Sequence, residues 1–285
     1  MTSNHPQSIG MTGIGNAREL GGYPASDGRK VRSGILLRTA RLSTATQEDI
    51  HRLQEVYHLA KIIDLRTEEE INGSPEIALF TGSIEPDLDP VLDGTEYIHL
   101  PVLDLKNQIH ATEEFAMKPI TDVFQMLAVS IDMGFVGDSL YIGFLDSEIG
   151  KQSYSRLFRE LLSLEEGRSV LFHSTQGKDR TGLAAMLILS ALGVSEEIII
   201  ADYMLTNLYN QKRIEAQRRM LENSGKIPPD KMELFMMVMD EVNESTMWSV
   251  MEYLKRQHGG ILPYIVNILG ISEQEIAQLK NKFLI

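Results

Sequence analysis

The segment "VLFHSTQGKDRTG" at residues 170–182 decides how this chain folds. Its apolar opening is typical of a buried strand, and the polar, glycine-containing stretch that follows predicts a tight loop. The next segment, "RTGLAAMLILSALG" at 180–193, is almost wholly apolar, which predicts a buried helix. A strand, a short loop and a helix in direct succession bring the first N–H groups of the helix to the end of the strand.

The segments before this loop predict further strands and helices. "AKIIDLR" at 60–66 and "YIHLPVLD" at 97–104 are short apolar stretches that end in charge, as strands often do, and the sequence between them is loop-like. "STATQEDIHRLQEVYH" at 43–58 predicts a helix with Ser43 or Thr44 as its N-cap. Helices fill the last third of the chain. The pattern predicts an α/β fold, with a central sheet flanked by helices and a helical C-terminal elaboration.

No internal repeat, low-complexity tract or linker divides the chain, so we expect a single domain over residues 1–285. Residues 1–12 lack the basic start and apolar core of a secretion signal, and we expect them to form a loose tail. No apolar run reaches the roughly 18 residues that a membrane helix needs. We therefore expect no stable membrane insertion and a cytoplasmic location. Near the C-terminus, Ser272 and Glu275 predict a capping box.

The composition argues against several classes of protein. The formal net charge is −13 at pH 7, whereas broad binding to nucleic acid or anionic membranes normally needs a basic face. The chain has no cysteine, which excludes disulfides and thiolate metal sites. Its seven histidines show no HExxH-type spacing. We expect no nucleic-acid partner, no metal and no cofactor.

The loop at 174–178 has the features of an anion site. Successive N–H groups converge at a helix N-terminus, where the helix dipole adds positive charge. Arg180 offers a planar fork that can hold two phosphate oxygens, and Lys178 adds a second cation. The spacing is not GxxxxGK[ST], so this is not a Walker nucleotide loop. We expect phosphate or sulfate to bind here; alternatively, the loop is purely structural and Arg180 binds a carboxylate.

"HSTQGKDRTG" at 173–182 resembles, at every position but one, the HCxxGKDRTG signature of cysteine-dependent phosphatases. It is most similar to the bacterial tyrosine and lipid phosphatases typified by mycobacterial PtpB and Listeria LipA. "NARELGGY" at 16–23, "DLRTEEE" at 64–70 and "GGILPYIVNILGISEQEI" at 259–276 resemble that family too. The resemblance covers most of the chain. It implies a tyrosine-phosphatase-like fold and hydrolysis of phosphotyrosine in proteins or of phosphoinositides.

The exception is Ser174, at the position of the family's nucleophilic cysteine. A helix N-terminus and nearby cations can turn a cysteine into a thiolate, whereas a serine hydroxyl stays protonated and needs an adjacent base. His173 is a poor candidate for that base, because neighbours on a strand point to opposite faces. We expect this chain to bind phosphate and barely turn it over. Either the cysteine was replaced to trap a ligand, or the chain is a natural pseudophosphatase that binds phosphorylated ligands.

The resemblance implies a covalent mechanism in which residue 174 attacks phosphorus and water then hydrolyses the phosphoenzyme. Arg180 and the N–H groups of the loop are expected to hold the equatorial oxygens in the transition state. The loop residues expected to contact substrate are Thr175, Gln176, Gly177, Lys178 and Thr181. Thr181 matches the family hydroxyl that steadies the thiolate; alternatively, it only caps the helix.

The resemblance points to Asp179 as the general acid, with an ordinary helix N-terminal charge as the alternative. Asp104, which follows a predicted strand, is the second candidate. Asp64 and Arg66 end another strand and are expected to line the pocket, although Asp64 could equally brace Arg180. Helices at about 202–243, including the methionine-rich "KMELFMMVMD" at 231–240, correspond to a lid in the family; the alternative is an ordinary core helix.

Overall fold

A central sheet positions the loop. The structure is a computed structural model that describes residues 7–73, 85–103, 124–125, 128, 131 and 136–285. Numbered along the chain, the strands are β1 (Arg18–Glu19), β2 (Leu36–Thr39), β3 (Leu59–Asp64), β4 (Glu96–His99) and β5 (Ser169–His173). They lie in the order β1-β2-β5-β3-β4, and every pair except β1 with β2 is parallel. The carboxyl ends of β2 to β5 therefore meet at one edge, where α/β proteins place their sites.

Helices surround this sheet and make up most of the C-terminal half. Those used below are α1 (Gln47–Glu55), α2 (Glu68–Asn72), α3 (Asp138–Asp146), α4 (Glu148–Leu162), α5 (Asp179–Leu192), α6 (Glu196–Tyr209), α7 (Gln211–Ser224), α8 (Met232–Met239), α9 (Glu244–His258), α10 (Ile261–Asn267) and α11 (Glu273–Phe283). The predicted α/β class, with a central sheet flanked by helices, is confirmed. None of the helices in the described ranges is long and apolar enough to cross a membrane.

The central strands β2, β3 and β5 carry apolar residues at consecutive positions because both faces of the sheet are covered. On β5, Val170 and Phe172 pack into a core on one face, whereas Leu171 packs into a second core on the other face. On β3, Ile63 packs into the first core and Ile62 into the second. Side chains alternate between the faces of a strand, so a doubly covered strand needs apolar residues at consecutive positions. Helix α5 lies in the larger core and is buried along most of its length.

Several local expectations are corrected. Helix α1 begins after Thr46, which forms a capping box with Asp49, two residues beyond the predicted cap at Thr44. The loop-like segment after β3 begins with the short helix α2. Residues 7–12 are not a loose tail, since Ile9 and Met11 are buried in the second core. The hydrophobic effect favours packing of these apolar side chains on the sheet, where they join Leu37 and Leu171.

The C-terminal capping box is confirmed: Ser272 accepts from the backbone N–H of Glu275, whose side chain accepts from the N–H of Ser272. The strand predicted at 97–104 ends at His99. Asp104, the second candidate for the general acid, lies outside the described residues.

Candidate active site

The loop of residues 174–178 connects β5 to α5 at the carboxyl edge of the sheet. Because β5 lies between β2 and β3, the ends of those strands flank the loop. The carbonyl groups of the loop are held from outside. The Asn16 side-chain amide donates to the carbonyls of Gln176 and Gly177, and the backbone N–H of Arg41 donates to that of Thr175.

These bonds determine where the N–H groups of the loop point. The carbonyl and the N–H of one trans peptide unit point in opposite directions. A carbonyl held outward at Thr175, Gln176 and Gly177 therefore turns the next residue's N–H towards the inside of the loop. Successive inward N–H groups form an anion-binding concavity, and the N-terminus of α5 adds its partial positive charge. The geometry supports the anion site predicted from the sequence.

Gly177 is required at its position for two reasons. Its φ is +63°, a conformation that residues with a Cβ rarely adopt. A Cβ built there would also lie 2.3 Å from the carbonyl oxygen of Thr39, at the end of β2. The loop thus passes against the neighbouring strand at a distance that only glycine permits.

A buried charge network stands behind the loop. Asp202 on α6 binds Arg18 through Nε at 3.1 Å and Arg38 through Nη1 at 2.5 Å, and all three side chains are almost fully buried. Arg38 also donates from Nη2 to the Gly177 carbonyl at 3.0 Å. Burial lowers the pKa of Arg38 to about 10. Burial alone would raise the pKa of Asp202, but the two arginines outweigh it and lower the pKa.

Ser174 is buried at the start of the loop, and the Thr181 hydroxyl donates to its Oγ at 3.0 Å. This contact is what the resemblance predicts for a hydroxyl that steadies the nucleophile. His173 is fully buried, with Nε2 lying 3.0 Å from an oxygen of Asp89. That ring nitrogen is therefore turned to a carboxylate on a neighbouring segment.

Arg180 is held in front of the loop by a carboxylate that the sequence analysis left without a role. Glu70 of α2 binds Nη1 and Nη2 of Arg180 at 2.5 and 2.7 Å, and it also accepts from the Thr175 hydroxyl. Burial alone would raise the pKa of Glu70, but Arg180 and Thr175 outweigh it and lower the pKa to about 2. Glu70 also accepts from the N–H of Thr67 in the capping box of α2. The start of α2 thereby fixes the guanidinium.

Lys178 lies on the other side of the loop. Its side chain is 3% exposed, and Nζ donates to the carbonyls of Met237, at 2.6 Å, and Met239 in α8. Nζ also lies 3.6 Å from the Asp179 carboxylate. The amino group is thus directed to the end of a helix and not, as predicted from the sequence, to the anion.

Asp179, the first residue of α5, meets two tyrosines. The Tyr141 hydroxyl donates to its Oδ1 at 2.6 Å, and the hydroxyls of Tyr141 and Tyr203 are 2.7 Å apart. The Asp179 side chain is 29% exposed, so part of the carboxyl remains accessible beside the loop.

Asp64 and Arg66 do not line an open pocket. Both side chains are fully buried and bind each other at 2.7 Å, and Arg66 also binds Asp89 at 2.7 Å. Asp64 does not brace Arg180, which Glu70 holds instead. Asp64, Asp89 and His173 have ligand atoms close enough together for a metal ion. The Arg66 guanidinium already bridges the two carboxylates, however, which identifies the cluster as an ion-pair network.

The structure thus places Ser174, Asp179, Arg180 and most of the predicted loop residues together at the end of β5, whereas the Lys178 side chain is turned away to α8. It adds functional candidates that sequence reasoning missed: Asn16, Arg38, Glu70, Tyr141 and Asp202. Two of these lie within quoted motifs, "NARELGGY" and "DLRTEEE", where a signal was available. The others stand far from the loop in sequence and carry no local signal.

Comparison with known proteins agrees with this geometry. The sequence model of the tyrosine phosphatase family matches residues 9–285. A Cupriavidus necator protein that bears the name of a tyrosine-protein phosphatase is 31% identical over 271 residues, covering 95% of this chain and 86% of the relative. A tyrosine-protein phosphatase of Nostoc commune is 26% identical over 266 residues, or 90% and 76% of the two chains. The triple specificity protein phosphatase PtpB of Mycobacterium tuberculosis is 45% identical over 51 residues, 18% of each chain. The chain therefore belongs to the tyrosine phosphatase family.

Proposed function

We propose that this chain is the serine form of a phosphate-monoester hydrolase, a protein-tyrosine phosphatase that forms a phosphocysteine intermediate when residue 174 is cysteine. The observation that carries the proposal is the loop, in which a nucleophile position, inward N–H groups and the Arg180 guanidinium surround one concavity. Arg180 uses Nη1 and Nη2 for Glu70, so a phosphate would bind along the Nε side of the guanidinium.

In the active form, a thiolate at 174 forms an S–P bond as the P–O bond to the leaving group breaks and its electron pair goes to oxygen. Asp179 gives that oxygen a proton. The N–H groups and Arg180 stabilise the charge on the equatorial oxygens. In the second step a water attacks phosphorus, Asp179 accepts its proton, and the S–P bond breaks to regenerate the thiolate.

With serine at 174, the same site lacks a thiolate. Thr181 already donates to Ser174 Oγ, and a neutral hydroxyl without a base is a weak nucleophile. We infer that this chain binds phosphorylated ligands and traps them, as a substituted form of the enzyme does. The second candidate function, which Ser174 itself favours, is a natural pseudophosphatase whose role is binding alone.

Phosphotyrosine in proteins is the substrate class we propose first, with phosphoinositides as a further class and inorganic phosphate or sulfate as simple ligands of the loop. We also infer that α7 and α8, within the segment at about 202–243, form a helical lid in a single 1–285 phosphatase domain, whereas the first residues of that segment belong to α6, which packs in the larger core. Leu221, Ile227, Phe235 and Met236 form a small core of their own, and α8 is tied to the loop through Lys178. No metal or cofactor enters this mechanism.

The test compares this chain with Ser174→Cys and Ser174→Ala on a chromogenic aryl phosphate. We expect Ser174→Cys to turn over the substrate several orders of magnitude faster than both other forms, because only the thiolate can form the covalent bond. A folded Ser174→Cys protein without activity would favour the binding module. Assays on a phosphotyrosine peptide and on a soluble phosphoinositide then distinguish the two substrate classes.

In the Ser174→Cys form, Asp179→Asn should slow hydrolysis of aryl phosphates with poor leaving groups by about 10²- to 10⁴-fold, and good leaving groups should suffer less. Equal losses for both classes would indicate a structural role for Asp179 and would favour Asp104 as the acid.

A further inference from the structure

A pair of buried tyrosines meets Asp179 from two helices outside the loop. Tyr141 on α3 and Tyr203 on α6 are each 2% exposed. Their rings are 6.2 Å apart in an edge-to-face arrangement, and the edge of Tyr203 also lies against Gly182, where an added Cβ would come within 3.2 Å of the ring. The packing of α3 and α6 on α5 thus places both hydroxyls.

The protons of the two hydroxyls have a definite order. An ionised carboxylate can only accept hydrogen bonds, so the single proton of Tyr141 goes to Oδ1 of Asp179. Tyr203, whose oxygen is 2.7 Å from that of Tyr141, must then donate to Tyr141. Burial and the Asp179 carboxylate raise the pKa of Tyr141 well above its ordinary value, and burial also raises the pKa of Tyr203. Both hydroxyls therefore keep their protons at neutral pH.

We propose that Tyr141, supported by Tyr203, is a positioning residue for the general acid Asp179, an inference that rests on the phosphatase function proposed above. When Asp179 is protonated, its Oδ1 accepts from Tyr141, whose own oxygen accepts from Tyr203. The acid proton therefore sits on Oδ2. The two hydroxyls select which oxygen of the carboxyl group carries the proton, and they fix the orientation of the group.

The space around Tyr141 supports this assignment. Asp179, Tyr141 and Tyr203 line a cavity of about 30 Å³ together with Met237 and Val242, which offers room for about two waters. Oδ1 already accepts from Tyr141, so Oδ2 is the oxygen left for the leaving group. Once the proton has gone to the leaving oxygen, the ionised Asp179 accepts a stronger hydrogen bond from Tyr141. The hydroxyl thus favours proton transfer.

The experiment uses the full chain with Ser174→Cys and measures kcat/KM, which reports the phosphoryl-transfer step, for phenyl phosphate and 4-nitrophenyl phosphate. Tyr141→Phe should lower kcat/KM by about tenfold for phenyl phosphate, whose poor leaving group needs the proton, and by less than about threefold for 4-nitrophenyl phosphate. Tyr203→Phe, which removes only the outer hydroxyl, should act in the same direction with a smaller effect and offers a milder variant should Tyr141→Phe disturb folding.

Tyr154→Phe is the matched control. This tyrosine is also fully buried, but its hydroxyl donates to the backbone carbonyl of Arg180 at 3.2 Å. It should slow both substrates by the same factor. In an Asp179→Asn background, Tyr141→Phe should produce no further difference between the substrates, because the two side chains act as one unit.

Equal losses on the two substrates with Tyr141→Phe, or a leaving-group effect that persists without the Asp179 carboxyl, would overturn the tyrosine assignment alone. A folded Ser174→Cys protein that is inactive on both substrates would overturn the phosphatase proposal, and the positioning role with it.

Discussion

Two ion pairs touch the same loop from opposite sides. Behind it, Arg38 and Asp202 have side chains that are 0% and 1% exposed. In front of it, Arg180 and Glu70 have side chains that are 11% and 12% exposed. Each pair joins a guanidinium to a carboxylate at 2.5 Å. They differ in what else they contact and in how far water reaches them.

The rear pair, Arg38 and Asp202, contacts the loop through a backbone carbonyl, since Arg38 donates to the carbonyl of Gly177. The pair is almost fully buried, and its charge lies against a backbone carbonyl, where it holds the loop. In the front pair, Arg180 and Glu70, the carboxylate also accepts from the Thr175 hydroxyl, and both side chains stay partly exposed. The comparison teaches that burial separates two chemically similar pairs: the dry pair holds the backbone, and the partly hydrated pair contains the guanidinium that we propose binds the ligand.

The largest effect should come from breaking the rear pair. Asp202→Asn leaves Arg18 and Arg38 without the carboxylate that both bind. Removing one partner of a buried ion pair costs about 3–5 kcal/mol, a large share of the total stability of an ordinary protein. We expect urea unfolding to show a loss of this size.

Asp27→Asn is the control for the rear pair, because Arg29 and Asp27 form an ion pair that is 35% and 38% exposed. Such surface pairs contribute little to the free energy of unfolding, so the urea midpoint of Asp27→Asn should match that of the parent protein. If Asp202→Asn and Asp27→Asn unfold at the same urea concentration, burial does not make the rear ion pair more important for stability than an exposed one.

An intermediate, pH-dependent effect should follow from Glu70→Gln. The pKa of Glu70 in the folded protein is about 2, below the ordinary value of 4.5 for this carboxyl, because Arg180 and Thr175 outweigh burial and stabilise the ionised form. The ionised carboxyl therefore contributes stability that is fully present above about pH 5.5 and is lost as the pH falls through 4.5 towards 2. A shift of this size corresponds to about 3 kcal/mol at neutral pH.

The measurement is the free energy of unfolding of the parent and of Glu70→Gln at pH 7 and at pH 3.5. The charge-dependent difference between the two proteins should shrink by about two fifths at the lower pH. A difference that is the same at both pH values would show that Glu70 acts through its shape and not through its charge.

These contacts also show what the sequence could predict. The strand, loop and helix at 170–182 are consecutive in the chain, so the anion site follows from local rules alone. Arg38 and Gly177 are 139 residues apart, and Arg18 and Asp202 are 184 apart. No periodicity connects such partners. The parallel pairing of β2 with β5 brings Arg38 to the loop, and the placement of α6 brings Asp202 to Arg18.

Asp64 and Arg66 are a different kind of miss. Residues two apart on an extended chain point to the same side, so their mutual ion pair could have been expected from spacing. We assigned them to a pocket because charge at the end of a strand suggests a site. The structure satisfies these charges internally, through Arg66, Asp64 and Asp89. Buried charges must be paired. A charged residue at the end of a strand can therefore be present to pair with another buried charge and need not belong to a functional site.

The smallest effect should come from Lys178, the second cation of the loop. Its amino group binds the carbonyls of Met237 and Met239 and is committed to α8. Lys178→Met removes these hydrogen bonds but also relieves the cost of burying a charge, so we expect the free energy of unfolding to fall by only about 1 kcal/mol.

The tungstate affinity of Lys178→Met, measured by calorimetry, should change by less than about threefold. Arg180→Lys, which keeps the charge but loses the planar fork, should weaken it by about tenfold or more. Amide exchange over residues 232–239 should accelerate in Lys178→Met, since α8 loses its tie to the loop. If Lys178→Met lowers the tungstate affinity as much as Arg180→Lys does, Lys178 must leave α8 to bind the anion. Lys178 would then bind the ligand, as Arg180 does, and would not serve only to hold the protein together.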